Sequence, residues 1–149
     1  MESSEARRGR RVIYDFFEKS ERSKRISIDI DKDHLKVEPL KVLRVYFAMK
    51  QIFPNVEISV EKTLKGFHVK AVGDSIKRIP VAKRIQIREI LGDDPERIKY
   101  DQFKLKHGLI HLTETLFEAK IQPGGQFTIA QIINPVALPC ISKIPAKKS

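Results

Sequence analysis

Residues 25–31 read RISIDID, apolar and polar side chains in strict alternation after an opening arginine. Successive side chains of a strand point to opposite faces. Ile26, Ile28 and Ile30 therefore form one surface, and Ser27, Asp29 and Asp31 the other. Three isoleucines on one side demand a partner layer, because a lone strand or hairpin buries too little to stand in water. The chain must fold around a sheet with one apolar face and something packed against it. Two carboxylates on the opposite face are not needed for that, so they are candidates for a role of their own.

The segments that follow supply the other layers. Pro39 suits a first helical turn, and Leu40, Leu43, Phe47 and Ile52 recur near helical spacing up to the stop at Pro54-Asn55. VEISVEKT alternates again, with Val56, Ile58 and Val60 inward and Glu57, Ser59 and Glu61 outward. FHVKAVG does the same, with Phe67, Val69 and Ala71 against His68 and Lys70. A second helix is expected from Pro80 to Leu91, with Gly92 as its stop, and the Asp-Pro that follows predicts a further short helix. TLFEAKI and FTIAQII flank a QPGGQ turn and read as a hairpin. Leu109, Leu112 and Leu116 also fit a helix over 109–117, which leaves a looser α+β arrangement open.

The order β-α-β-β-α-(α)-β predicts an α+β domain over residues 26–133. It is of the ferredoxin-like, RRM-like βαββαβ kind, with helices on one face and room for an extra C-terminal strand. Residues 1–25 read as a basic arm with one short helix docked through Ile13, Phe16 and Phe17, and 134–149 as an irregular basic tail. The ferredoxin-like order 4-1-3-2 makes the first and third strands neighbours. Ser27, Asp29, Asp31, His68 and Lys70 would then share one face, with Glu57 and Glu61 on the next strand. Carboxylates at i and i+2 can share a hard ion such as Mg²⁺ or Mn²⁺, and a nearby His can meet a phosphate or move a proton. Such a face can equally be the solvated side of an edge strand. It carries no aromatic to stack on bases, because Phe67 falls on the core side by parity.

Charge narrows the partner. The chain holds 29 Lys and Arg against 19 Asp and Glu, a net +10 with a pI near 9.8. That balance favours an anionic partner: nucleic acid first, DNA ahead of RNA, and an acidic membrane surface second. Candidate phosphate contacts are Arg7, Arg8, Arg10 and Arg11 in the arm, Lys70 on the sheet, Lys77, Arg78, Lys83, Arg84 and Arg88 around the second helix, and Arg97 and Lys99 beyond it. The single Cys140 excludes an internal disulfide framework and fits a cytoplasmic setting, and no apolar run reaches the roughly 20 residues of a membrane span. Zinc is not expected, since Cys140 is alone and His34, His107 and His111 lack ligand spacing. The heavy use of Lys, Arg, Glu and Ile without tryptophan suits a thermophile.

A hydrophobic strand carrying Asp29-x-Asp31, and a later strand carrying Gly66-Phe67-His68 in KGFHVK, resemble the core of archaeo-eukaryotic primases and primase-polymerases. LGDDPERIKYD, residues 91–101, resembles a segment of small proteins from archaeal viruses and plasmids. The resemblance spans roughly 25–120. It implies an RRM-like core in which Asp29 and Asp31 hold catalytic metals and His68 contacts nucleotide phosphate. The family's third carboxylate, on a later strand, has no counterpart: Asp101 lies in an expected helix, and Asp93 and Asp94 sit where helix capping accounts for them. A reduced relative without polymerase activity is what this pattern implies.

Three functions follow as expectations. The first is a small nucleic-acid-binding protein of an archaeal virus or plasmid, acting in replication or genome handling mainly through phosphates. The second is a metal-dependent nucleotidyl-transfer or phosphodiester-cleaving enzyme using Asp29, Asp31 and His68. The third is a virion or assembly scaffold working through its tails.

Overall fold

The protein is described by a computed structural model covering residues 3–5, 8, 16–31, 39–64, 66–116, 119–121 and 127–137. The alternating RISIDID stretch is strand β1 (Arg25–Asp31), and EISVEK and GFHVKAV are β2 (Glu57–Lys62) and β3 (Gly66–Val72). A tight turn joins the last two. The Thr63 amide donates to the Gly66 carbonyl at 2.9 Å, and the Gly66 amide donates back to Thr63 Oγ1 at 2.9 Å. β3 pairs antiparallel with both neighbours, and the sheet order is β1-β3-β2-β6, where β6 is Gln131–Ile133. The fold is α+β with a four-stranded antiparallel sheet. The expected hairpin around 122–126 is a separate two-stranded unit, β4 (Ala119–Ile121) with β5 (Phe127–Ile129).

The fourth strand of the main sheet therefore lies on β2, whereas the sequence places one beside β1. Among the described residues no strand covers the outer edge of β1. Side chains from the segment that follows Ile90, Asp93 and Arg97, occupy that edge instead, as described below.

Helix α1 (Pro39–Ile52) packs on the apolar face of the sheet. Ile26, Ile28, Ile30, Val60, Phe67, Val69 and Ala71 meet Val42, Val45, Tyr46, Met49 and Phe53 in one buried cluster. Each fully buried aliphatic there contributes about 1.5–3 kcal/mol relative to exposure. This stripe is not the one that the spacing of Leu40, Leu43, Phe47 and Ile52 predicts. Leu40 is 63% exposed and Phe47 53%, Ile52 is exposed as well, and only Leu43 packs against the core. The segment LKVLRVYFAMKQIF is apolar on several sides, so two stripes fit a 3.6-residue period. The one carrying Val42, Val45 and Met49 is seated against the strands.

Helices α2 (Val81–Ile90) and α3 (Pro95–Lys106) follow a single helical turn, Asp74–Lys77. Their punctuation matches the sequence reading. Pro80 is the N-cap of α2, Gly92 turns the chain at φ +85°, and Asp94 caps α3 by accepting the Glu96 amide, with Pro95 in the first turn. Over 109–117 the helical alternative is realised only as one 3₁₀ turn, Ile110–Leu112. In the arm, residues 16–19 are helical and Phe17 is buried, but Phe16 points out; Ile13 lies outside the described residues. Pro135–Ala137 form a 3₁₀ turn, and Cys140 with the rest of the tail lies outside the described residues.

The helices do not share one face of the sheet. Ile87 and Leu91 near the end of α2 join the apolar core, whereas α3 faces Ser27, Asp29 and His68 on the polar side. Among the described residues no helix is long and apolar enough to cross a membrane.

Candidate functional site

The register of the sheet fixes the polar face. Asp29 of β1 and Glu61 of β2 both stand opposite His68 of β3, and Ser27 and Ser59 both stand opposite Lys70. His68 Nε2 lies 3.5 Å from Asp29 Oδ1, and His68 Nδ1 lies 3.9 Å from Glu61 Oε2. Lys70 Nζ donates to the other Glu61 oxygen at 3.0 Å. The His68 imidazole stands between two carboxylates. The predicted meeting of Asp29 with His68 is thus present. Asp31 is opposite Gly66 in the register, and its side chain lies outside the described residues.

This face is not solvated. Ser27, His68 and Lys70 are all buried, and so is Arg25. Part of the cover is a cluster of charged side chains that the sequence reading did not assemble. Arg88, 1% exposed, donates from Nε to Asp93 Oδ2 at 2.8 Å and from Nη1 to Asp101 Oδ2 at 2.6 Å, with Glu114 Oε2 at 3.1 Å. Arg97 reaches Asp93 Oδ2 at 2.9 Å, Glu114 Oε1 at 3.2 Å and Ser27 Oγ at 2.6 Å. Arg25 donates to the Glu114 carbonyl and lies 3.5 Å from its carboxylate, and the Ser27 hydroxyl donates to Glu114 Oε1.

The same groups finish the outer edge of β1. Asp29 donates its backbone N–H to Asp93 Oδ1 at 2.8 Å, and the Ser27 carbonyl accepts from Arg97 Nη1 at 2.9 Å. An uncovered strand edge carries costly unpaired backbone groups, and here two side chains do the work of a neighbouring strand.

Local structure aims these side chains. Gly92 at positive φ lets the Asp93 amide donate back to the Arg88 carbonyl at 3.0 Å, closing α2 and turning the Asp93 carboxylate inward. Glu114 sits at φ +64°, a conformation that costs a non-glycine residue roughly 1–2 kcal/mol. Its amide donates to Asp101 Oδ2 at 3.1 Å, so the cluster holds the strained backbone that presents its carboxylate. Burial alone would lower the Arg88 guanidinium; Glu114, Asp93 and Asp101 overcome this and hold it above its ordinary value. Burial raises the Asp93 carboxyl against the opposing pull of Arg97 and Arg88.

Beside the cluster a cavity of about 450 Å³ opens between the polar face and α3. Asp29, His68, Arg97, Tyr100, Asp101 and Lys104 line it. Asp94 and Glu96 line it as well, so it presents four carboxylates, an imidazole, two cations and an aromatic ring. Among the described residues, no three or more His, Cys, Asp and Glu side chains are grouped so as to hold a metal ion. The described side chains around Asp29 do not by themselves complete a metal centre.

The expected phosphate contacts separate into two sets. Lys77, Arg78, Lys83, Lys99 and Arg8 are exposed, and Arg7, Arg10 and Arg11 lie outside the described residues. Lys70, Arg84, Arg88 and Arg97 are turned inward. Lys70 is held by Glu61, and Arg84 donates to the carbonyls of Ile79, Ser23 and Lys77. Arg84 and Arg88 lie one helical turn apart on the inner side of α2, next to the buried Ile85. From sequence, Asp93 reads as a helix cap and Asp101 as a helix residue without a role in the site, and nothing singles out Glu114. Asp94 is the cap of α3, whereas Asp93 belongs to the cluster. The spacing of Asp93, Arg97 and Asp101, four residues apart from just before α3 into its inner face, was the available signal.

No protein-family model, no curated protein and no solved structure matches the chain.

Removing Arg88 leaves three carboxylates facing one another in a buried site. Arg88→Ala is expected to destabilise the fold by about 3–5 kcal/mol in chemical denaturation. Lys83→Ala, on the exposed side of the same helix, should change stability by less than about 0.5 kcal/mol. Equal effects from the two would contradict a structural role for the cluster.

Proposed function

We propose that this chain is a small basic nucleic-acid-binding protein, acting in replication or genome handling of an archaeal virus or plasmid. It grips its partner mainly through backbone phosphates, DNA ahead of RNA, with little base specificity. One observation carries the reading: how the charge is sorted. Arg25, Arg88 and Arg97 are balanced by Asp93, Asp101 and Glu114, three against three, inside the buried cluster. The net charge of +10 therefore belongs to the rest of the chain. Arg78 and Lys83 carry part of it on exposed positions at and before α2, where Lys77 is also exposed with its ammonium 3.2 Å from Glu18 Oε2. Lysine and arginine held outside the packed interior suit phosphate contact, because losing water there costs the fold nothing. The β1-β3-β2 order, with helices after the first and third strands, favours an RRM-like reading of the central strands.

Binding of labelled DNA should weaken steeply as salt rises. Combined Lys77→Ala, Arg78→Ala and Lys83→Ala substitutions should flatten the log–log salt slope by roughly one for each phosphate that is no longer neutralised. Fluorescence anisotropy across a salt series measures both. Affinity that does not change with salt, or no binding at low salt, contradicts the reading.

A second reading is favoured by the meeting of Asp29 and His68 at the cavity. It makes the protein a metal-dependent nucleotidyl-transfer or phosphodiester-cleaving enzyme, with Asp29 and Asp31 as oxygen donors for Mg²⁺ or Mn²⁺ and His68 at the phosphate. Primer synthesis or cleavage that needs either ion and is lost in Asp29→Ala is the expected result. Wild-type protein inert towards nucleotides and nucleic acids with both ions removes this reading.

A further inference from the structure

Helix α3 has an inner side that the fold needs and an outer side that it does not. Ile98 and Asp101 are buried, and Arg97 and Lys104 turn towards the cavity. On the outside Tyr100 is 61% exposed and Phe103 58%, flanked by exposed Lys99 and Lys106. At 3.6 residues per turn, residues 96, 99, 100, 103, 106 and 107 fall within an arc of about 120°, with exposed Glu96 one turn before Tyr100. The Phe103 and His107 rings lie 4.2 Å apart and inclined at 49°, so His107 backs one side of Phe103 in the last turn.

Solubility and stability do not require two large aromatic rings in water on a helix already held by its cap and inner face. Aromatic rings between lysines answer to a ligand that alternates flat apolar groups with negative charge. Charge also sets a direction. Asp94 and Glu96 make the start of α3 acidic, whereas Lys106 is an exposed cation in its last turn. A polyanion is thereby drawn to the last two turns, where Phe103 and His107 lie. The sheet face cannot offer such a platform, since Phe67 is buried in the core and Ser27, Asp29, His68 and Lys70 occupy the other side.

We propose that the outer face of α3 seats single-stranded nucleic acid, with Tyr100 and Phe103 stacking on unpaired bases and Lys99 and Lys106 meeting the adjoining phosphates. This rests on the nucleic-acid reading above and sharpens it, because stacking needs bases that are not already paired. Tyr100 also borders the cavity, so a base stacked on it lies at the cavity mouth.

The test measures anisotropy of a labelled single-stranded oligonucleotide, and of the same sequence as a duplex, at one fixed salt concentration. The full chain is compared with Tyr100→Ala, Phe103→Ala and Lys99→Ala, each checked for fold by circular dichroism. The single strand should bind more tightly than the duplex. Each aromatic substitution should weaken single-strand binding roughly 5- to 100-fold while changing duplex binding little. Lys99→Ala should instead lower both affinities and, in a salt series, flatten the slope. Wild-type binding with the aromatic variants unchanged overturns this inference and leaves the phosphate-binding reading standing. Equal or tighter duplex binding also overturns it. Absence of any binding by the wild type overturns the parent reading together with it.

Discussion

Arg88 is the interaction on which the rest of the structure depends. It holds three carboxylates from three places in the chain: the α2–α3 loop, the inner face of α3 and the segment after the 3₁₀ turn. Taking any of those charges out of water costs several kcal/mol, so the cluster persists only because each charge has partners. Once assembled it serves the sheet. Asp93 takes the Asp29 amide and Arg97 covers the Ser27 carbonyl, so β1 ends in side chains where a further strand would otherwise be required. The same arrangement places α3 against the polar face and leaves the cavity beside Asp29 and His68.

Much of the fold was legible because local rules are strong where they apply. Alternation located β1, β2 and β3, and it also put Asp29 and His68 on one face. Pro80, Gly92, Asp94 and Pro95 marked the helix ends, since each has a backbone reason to sit there. What could not be read is what covers a face. RISIDID says which side chains point together, but a row of Ser and Asp reads alike under water and under a buried guanidinium. The partners of β1 come from far along the chain; Ser27 meets Glu114 and Asp29 meets Asp93. The stripe of α1 was misjudged for a different reason, because a helix apolar on several sides does not declare which one packs.

The candidate functional surface divides in the same way. Charge composition pointed to an anionic partner but did not separate arginines that bind outward from arginines that bind inward. Arg84, Arg88 and Arg97 look like surface cations in sequence and are structural in the fold. Tyr100 and Phe103 on α3 carry no local sequence signal that tells an exposed ring from a buried one. On the proposals above, phosphate contacts draw on both α2 with the turn before it and α3, and base stacking on α3 alone.

The direct measurement is native-state hydrogen exchange at the Asp29 amide. Its N–H points away from β3 and its partner is the Asp93 carboxylate. If charged side chains close the β1 edge, this amide exchanges as slowly as those of the central strand β3, and Asp93→Ala releases it. Exchange at the rate of an unprotected surface amide in the wild-type protein would contradict the account.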